Sequence, residues 1–95
     1  MSSKFITGII LVIMAVGIIG CSYDLDVENR TSQMLDIYVD SKYEGTVADG
    51  NSLLVRDLFH GEHLLEALDR HGDVMAEDII YLDRDRTWAI YMHYR

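Results

Sequence analysis

Proline is absent from the 95-residue chain. Pro-rich linkers and rigid Pro-rich stalks are thereby excluded. Cysteine occurs once, at Cys21, so no disulfide can close within the chain. Basic residues are scarce: eight Lys and Arg stand against sixteen Asp and Glu, for a formal charge of −8. A chain this acidic repels phosphate backbones, which argues against nucleic acid as a partner. It repels anionic lipid as well. Gly45, Gly50, Gly61 and Gly72 stand singly, so no glycine-rich phosphate loop is present. Ser22, Ser32, Ser41 and Ser52 lack the flanking glycines of a nucleophile elbow. These absences argue against an enzyme.

One long apolar run is present. It extends from Phe5 to Ile19, broken by Thr7, Gly8 and Gly17, and follows the single cation Lys4. Its roughly 15 residues match a signal-peptide core and fall short of the ~20 that span a bilayer. The run ends Ile18-Ile19-Gly20-Cys21. This ending resembles the lipobox of a bacterial lipoprotein signal: an aliphatic residue, a small or aliphatic one, Gly or Ala, then Cys. The resemblance implies that Ile18, Ile19 and Gly20 are read by processing enzymes, that residues 1–20 are removed, and that the Cys21 thiol carries a diacylglycerol. Two or three acyl chains there make a stable membrane anchor. That covalent lipid is the only cofactor expected. Ser22 follows the cysteine where Asp would favour inner-membrane retention, so the resemblance implies the outer membrane if the envelope is Gram-negative. The alternative is an uncleaved membrane helix with an incidental cysteine.

Residues 21–95 then form one small domain. Loss of Lys4 leaves seven basic against sixteen acidic residues, a formal charge of −9. A domain of this size buries only about 60 % of the surface its unfolded chain exposes. Its apolar residues alternate at period two. Tyr23, Leu25 and Val27 alternate with Asp24, Asp26 and Glu28, and Leu35, Ile37 and Val39 with Asp36, Tyr38 and Asp40. Asn29–Ser32 reads as a turn, Ser41-Lys42 as a hairpin joint before Tyr43–Val47, and Ala48–Asn51 and Asp69–Asp73 as further turns. Leu53 and Val55 mark one strand. Val74–Leu82 and Thr87–Tyr94 mark the last two. The leucines of Glu62–Leu68 are spaced for either a helical turn or a strand, and the glycines bracketing them favour the strand. About seven strands with turns every 8–12 residues predict an all-β, single-domain antiparallel β-sandwich, preceded by the hydrophobic signal helix.

Val27-x-Asn29, Ile37-Tyr38-Val39-Asp40, Gly45-Thr46-Val47, Leu53-x-Val55-x-Asp57 and Gly61-x-His63-x-Leu65 fall in one order. They resemble the PEGA-type envelope modules, with Ig-like sandwich patterning. The resemblance implies a binding or spacing role and assigns no ligand.

Four histidines invite a metal reading. His60 and His63 have an H-x-x-H spacing, but Gly61 disfavours the helix that would align them, and no cysteine is free to join. His63 shares a strand face with Leu65 and Ala67, where its ring is expected to be half-buried and hydrogen-bonded. The acids in turns cap local backbone and keep the surface soluble. No loop has EF-hand spacing for calcium. Tyr38, Tyr81, Tyr91 and His93 are the candidate binding surface, since exposed aromatics among acids suit glycan or protein. Their bland reading is sheet surface of high β-propensity. The leading function is therefore a non-catalytic binding or accessory module of the bacterial cell envelope, lipid-anchored and facing an envelope protein or wall component. The alternative is a periplasmic metal-binding or pH-responsive module using His60, His63 and His71.

Overall fold

A computed structural model describes residues 22–92. The expected signal helix, the lipobox residues Ile18, Ile19, Gly20 and Cys21, and His93 lie outside them. Seven strands follow in order: β1 (Ser22–Arg30), β2 (Leu35–Val39), β3 (Lys42–Val47), β4 (Ser52–Phe59), β5 (Gly61–Leu68), β6 (Val74–Leu82) and β7 (Arg86–Tyr91). They form two sheets, β4-β1-β7 and β3-β2-β5-β6. The sheets pack face to face, as the alternation predicts.

Period two decides which side chains go inside. Leu25 and Val27 point inward from β1, Leu35, Ile37 and Val39 from β2, and Leu65 and Ala67 from β5; all are buried. Val47, Val55 and Ile90 close the core from β3, β4 and β7, with Trp88 packed against it. Each large aliphatic side chain contributes about 1.5–3 kcal/mol by leaving water, against the entropy of ordering the chain. Residues 62–68 take the strand form. Leu65 goes to the core while Leu64 and Leu68 lie half-buried on the outer face.

The expectation of a wholly antiparallel sandwich needs one correction. β1 and β7 pair in parallel, Leu25 opposite Arg86 and Arg30 opposite Tyr91. The cause is the route of the chain. It leaves β6 and crosses between sheets at the end of the sandwich where β1 also starts, so β7 must run the same way as β1. We call that end the base.

The β2–β3 hairpin turns one residue earlier than Ser41-Lys42. Val39 pairs with Lys42, so Asp40 and Ser41 are the two loop residues. Both have positive φ, 52° and 68°. That is the type I′ pattern, which matches strand twist and prefers Asp-Gly over Asp-Ser. Ser41→Gly is therefore expected to stabilise the domain by about 0.5–1 kcal/mol, since glycine adopts this φ without a Cβ penalty. A urea titration of both proteins checks this, and a destabilised glycine variant would contradict it.

β1 also runs two residues further than its apolar alternation. Asn29 belongs to the strand, not to the turn, and is fully buried. At the end opposite the base its amide joins Gln33, Val47 and Thr31. It continues the inward set of Leu25 and Val27 with a polar group whose partners all lie within the fold.

Candidate functional site

The base end of the sandwich holds the most unusual polar arrangement. His63 follows the inward period of Leu65 and Ala67 and is 6 % exposed. Its Nδ1 lies 2.6 Å from Asp40 Oδ2, and its Nε2 lies 2.6 Å from the Phe59 carbonyl oxygen. A carboxylate and a carbonyl both accept, so both ring nitrogens must donate. The geometry therefore selects the imidazolium. Burial by itself lowers the pKa of this ring, but the Phe59 carbonyl and the Asp40 carboxylate outweigh it and raise the pKa above the ordinary 6.5.

Asp40 serves three contacts from the tight turn. Its Oδ2 meets His63, its Oδ1 accepts from the Leu64 N–H at 2.9 Å, and its own N–H donates to the Leu64 carbonyl at 2.8 Å. The positive φ of the turn aims this carboxylate back at β5. The hairpin tip, the start of β5 and the end of β4 thus meet at one buried ring.

Above that ring lies an open cleft of about 340 Å³. It forms where β3 and β4, edge strands of different sheets, face each other. Lys42 and Glu44 line it from β3; Arg56, Asp57 and Phe59 line it from β4; Asp40 and His63 form its floor. A bulge shapes the β4 wall: Tyr23 pairs with Leu58 but Leu25 with Val55, so one extra residue is inserted. Asp57 takes the left-handed φ of 60° there, and its N–H donates to Asp24 Oδ1 at 3.2 Å. Among the described residues neither Lys42 nor Arg56 forms an ion pair. The cleft thus offers two uncommitted cations, two carboxylates and the exposed Phe59 ring. Such a lining suits a peptide-like group carrying charge of both signs.

The other expected site residues are dispersed. His60 is exposed on the β4–β5 turn, where its Nε2 shares a 2.9 Å hydrogen bond with the Tyr81 hydroxyl. His71 lies in the β5–β6 turn at the opposite end, its backbone N–H donating to Asp69 Oδ1. The three described histidines are not brought together. Among the described residues no group of three His, Cys, Asp or Glu is placed to hold a metal ion. Tyr38 is half-buried on β2 with its ring edge against Tyr43, the centroids 5.6 Å apart. Tyr81 is exposed on β6 of the same sheet, and Tyr91 is exposed on β7 of the other. Tyr81 and Tyr91 also lie toward opposite ends. The tyrosines stand as separate exposed or half-exposed groups.

Lys42, Glu44, Arg56 and Asp57 have no place among the site residues expected from sequence. They belong to strands of different sheets, and only the folded chain makes them neighbours. No protein-family model, curated protein or solved structure matches the chain.

Proposed function

We propose that the protein is a small bacterial envelope lipoprotein, anchored through lipid on Cys21, whose sandwich acts as a non-catalytic binding or accessory module. The observation that carries this reading is the start of the fold. β1 opens at Ser22, the residue after the only cysteine and the lipobox-like Ile18-Ile19-Gly20. No linker separates the lipid attachment point from the folded domain. The module then works within reach of the membrane surface. Its cleft meets a charged peptide-like segment of an envelope protein or a wall component.

Cys21→Ala tests the reading. The variant is expected to take up no labelled fatty acid and to accumulate as uncut precursor. Normal processing and normal detergent partitioning would refute the anchor. Crosslinking in the native envelope, with mass spectrometry of what is captured, then tests the module. A partner held by the anchored protein and lost with Arg56→Glu places binding in the cleft.

His63 favours a second reading, that of a pH-responsive module. A buried ring held by two acceptors keeps its contacts only while protonated. Metal has no part in this reading, because both ring nitrogens are already engaged. His60, whose ring is bound to the Tyr81 hydroxyl, and His71, at the opposite end, do not join it.

A further inference from the structure

Three aromatic side chains gather at the base, with His60 between Tyr23 and Tyr81. The His60 ring stands edge-on to Tyr81 with centroids 5.4 Å apart, and Tyr23 lies 5.9 Å from the same His60 ring. Phe59, the residue before His60, is 54 % exposed, and Tyr81 is 52 % exposed. The His60 ring is thus flanked by two tyrosines, and one hydrogen bond fixes the His60–Tyr81 pair.

The first described strand starts among them. Ser22 is the β-ladder partner of Phe59, and Tyr23 is the next residue along β1. Paired residues stand about 5 Å apart across a ladder, and neighbouring Cα atoms 3.8 Å apart along the chain. Ser22, the first described residue, therefore sits directly beside Phe59. The apolar run Phe5–Ile19 ends two residues before Cys21.

We infer that this aromatic rim is a membrane-docking surface, seated in the headgroup layer of a phospholipid bilayer. The inference deepens the anchored-module reading and rests on it. Acyl chains attached at residue 21 draw Ser22 down to headgroup depth. With no tether, the Phe59-His60 turn must arrive there too. Tyrosine and other amphipathic rings are the side chains that gain from that layer, with the apolar body buried and the polar edge wet. The charges around the rim are mixed. Arg84 pairs with Asp83, and Asp85 accepts from the Asp24 N–H. With Glu62 and Arg86 beside them, acids outnumber bases at this end. The surface therefore suits zwitterionic headgroups and rejects anionic ones. The rings act as a second, weaker hold that fixes orientation. Phe59 belongs to both the rim and the cleft, so docking sets the cleft mouth at the membrane surface.

The test uses the full-length protein in its own membrane. The photoreactive residue p-benzoylphenylalanine replaces Phe59 in one protein, Tyr81 in a second and Val74 in a third. Val74 is 54 % exposed, like Phe59, but lies at the opposite end. After irradiation, phospholipid adducts are measured by mass spectrometry beside fatty-acid labelling of Cys21. Adducts at Phe59 and Tyr81 several-fold above Val74 are expected. Equal yields at both ends, or capture of protein alone at Phe59 and Tyr81 with Cys21 labelled, would overturn the docking surface and leave the anchor standing. Loss of both the label and the adducts would remove both. Adducts at the base without the label would keep the docking surface and remove the lipid anchor.

Discussion

Asn29→Asp is expected to cost the domain about 3–5 kcal/mol, a large part of its stability. Asn29 is fully buried and uses every hydrogen-bonding position of its amide. Its Nδ2 donates to the Gln33 carbonyl at 2.6 Å and to the Val47 carbonyl at 2.9 Å. Its Oδ1 accepts from the Thr31 N–H at 3.0 Å and from the Thr31 hydroxyl at 2.7 Å. Its backbone is bound too, donating to the Asn51 carbonyl and accepting from Gly50. One residue thus ties β1 to the β1–β2 turn, to β3 and to the β3–β4 turn. Aspartate has the same shape and no donor. Two buried carbonyls would then face a carboxylate. Leaving a buried charge uncompensated costs about 3–5 kcal/mol. A small domain is stable by roughly 5–10 kcal/mol in all. Asn29→Ala should cost less than Asp, about 2–4 kcal/mol, because it orphans the same carbonyls without adding charge. Urea unfolding followed by Trp88 fluorescence ranks the three proteins. An aspartate variant within about 1 kcal/mol of the parent would refute this account of the fold's closed end.

The alternation that revealed the core also carried a signal for Asn29. Leu25, Val27 and Asn29 are consecutive inward positions of one strand, and a polar residue at the third either ends the strand or needs partners inside. Its turn-forming chemistry pointed to the first outcome; tertiary contacts gave the second. His63 was legible in the same way, through Leu65 and Ala67. The cleft was not, and the reason is geometric. Glu44, Asp57 and Met75 are the extra residues at bulges, each shifting its strand's register against the partner. A bulge breaks period two locally, so alternation cannot say which face Lys42, Arg56 or Asp57 takes. The hairpin turns one residue earlier than the sequence predicts, for a related reason. Asp40 continues the polar phase of β2, and Ser41 lacks the glycine that marks a type I′ turn. The parallel pairing of β7 depends on where the chain crosses between sheets, which no local pattern encodes.

Stability is expected to be greatest in mild acid and to fall as pH rises above about 6.5. His63 carries this dependence. Its folded pKa is raised above the unfolded value of about 6.5, so the folded state holds the proton more tightly. The stabilisation is fully present below the unfolded pKa and is lost as pH rises through the folded one. In the deprotonated ring one nitrogen carries a lone pair, which would face either the Asp40 carboxylate or the Phe59 carbonyl at 2.6 Å. That repulsion loosens the hairpin tip from β5 and the end of β4, where the cleft and the base rim begin. Other charges face this ring from the cleft: Lys42, Glu44, Arg56 and Asp57. Substitutions separate their effects from those of the ring. Urea midpoints of the parent should drop between about pH 5.5 and about pH 8.5. His63→Gln should be less stable at the acid end and lose most of this slope. Asp40→Asn, which removes the carboxylate that holds the proton, should shrink or reverse it. Nitrogen chemical shifts of His63 give an independent readout, with both ring nitrogens protonated in mild acid and one proton released as pH rises. A parent equally stable across the range, or a His63→Gln variant with an undiminished slope, would show that the proton does not hold this corner of the sandwich together. If the slope follows His63, the same proton fixes the floor of the cleft. Partner binding there should then weaken with rising pH in parallel with the urea midpoint.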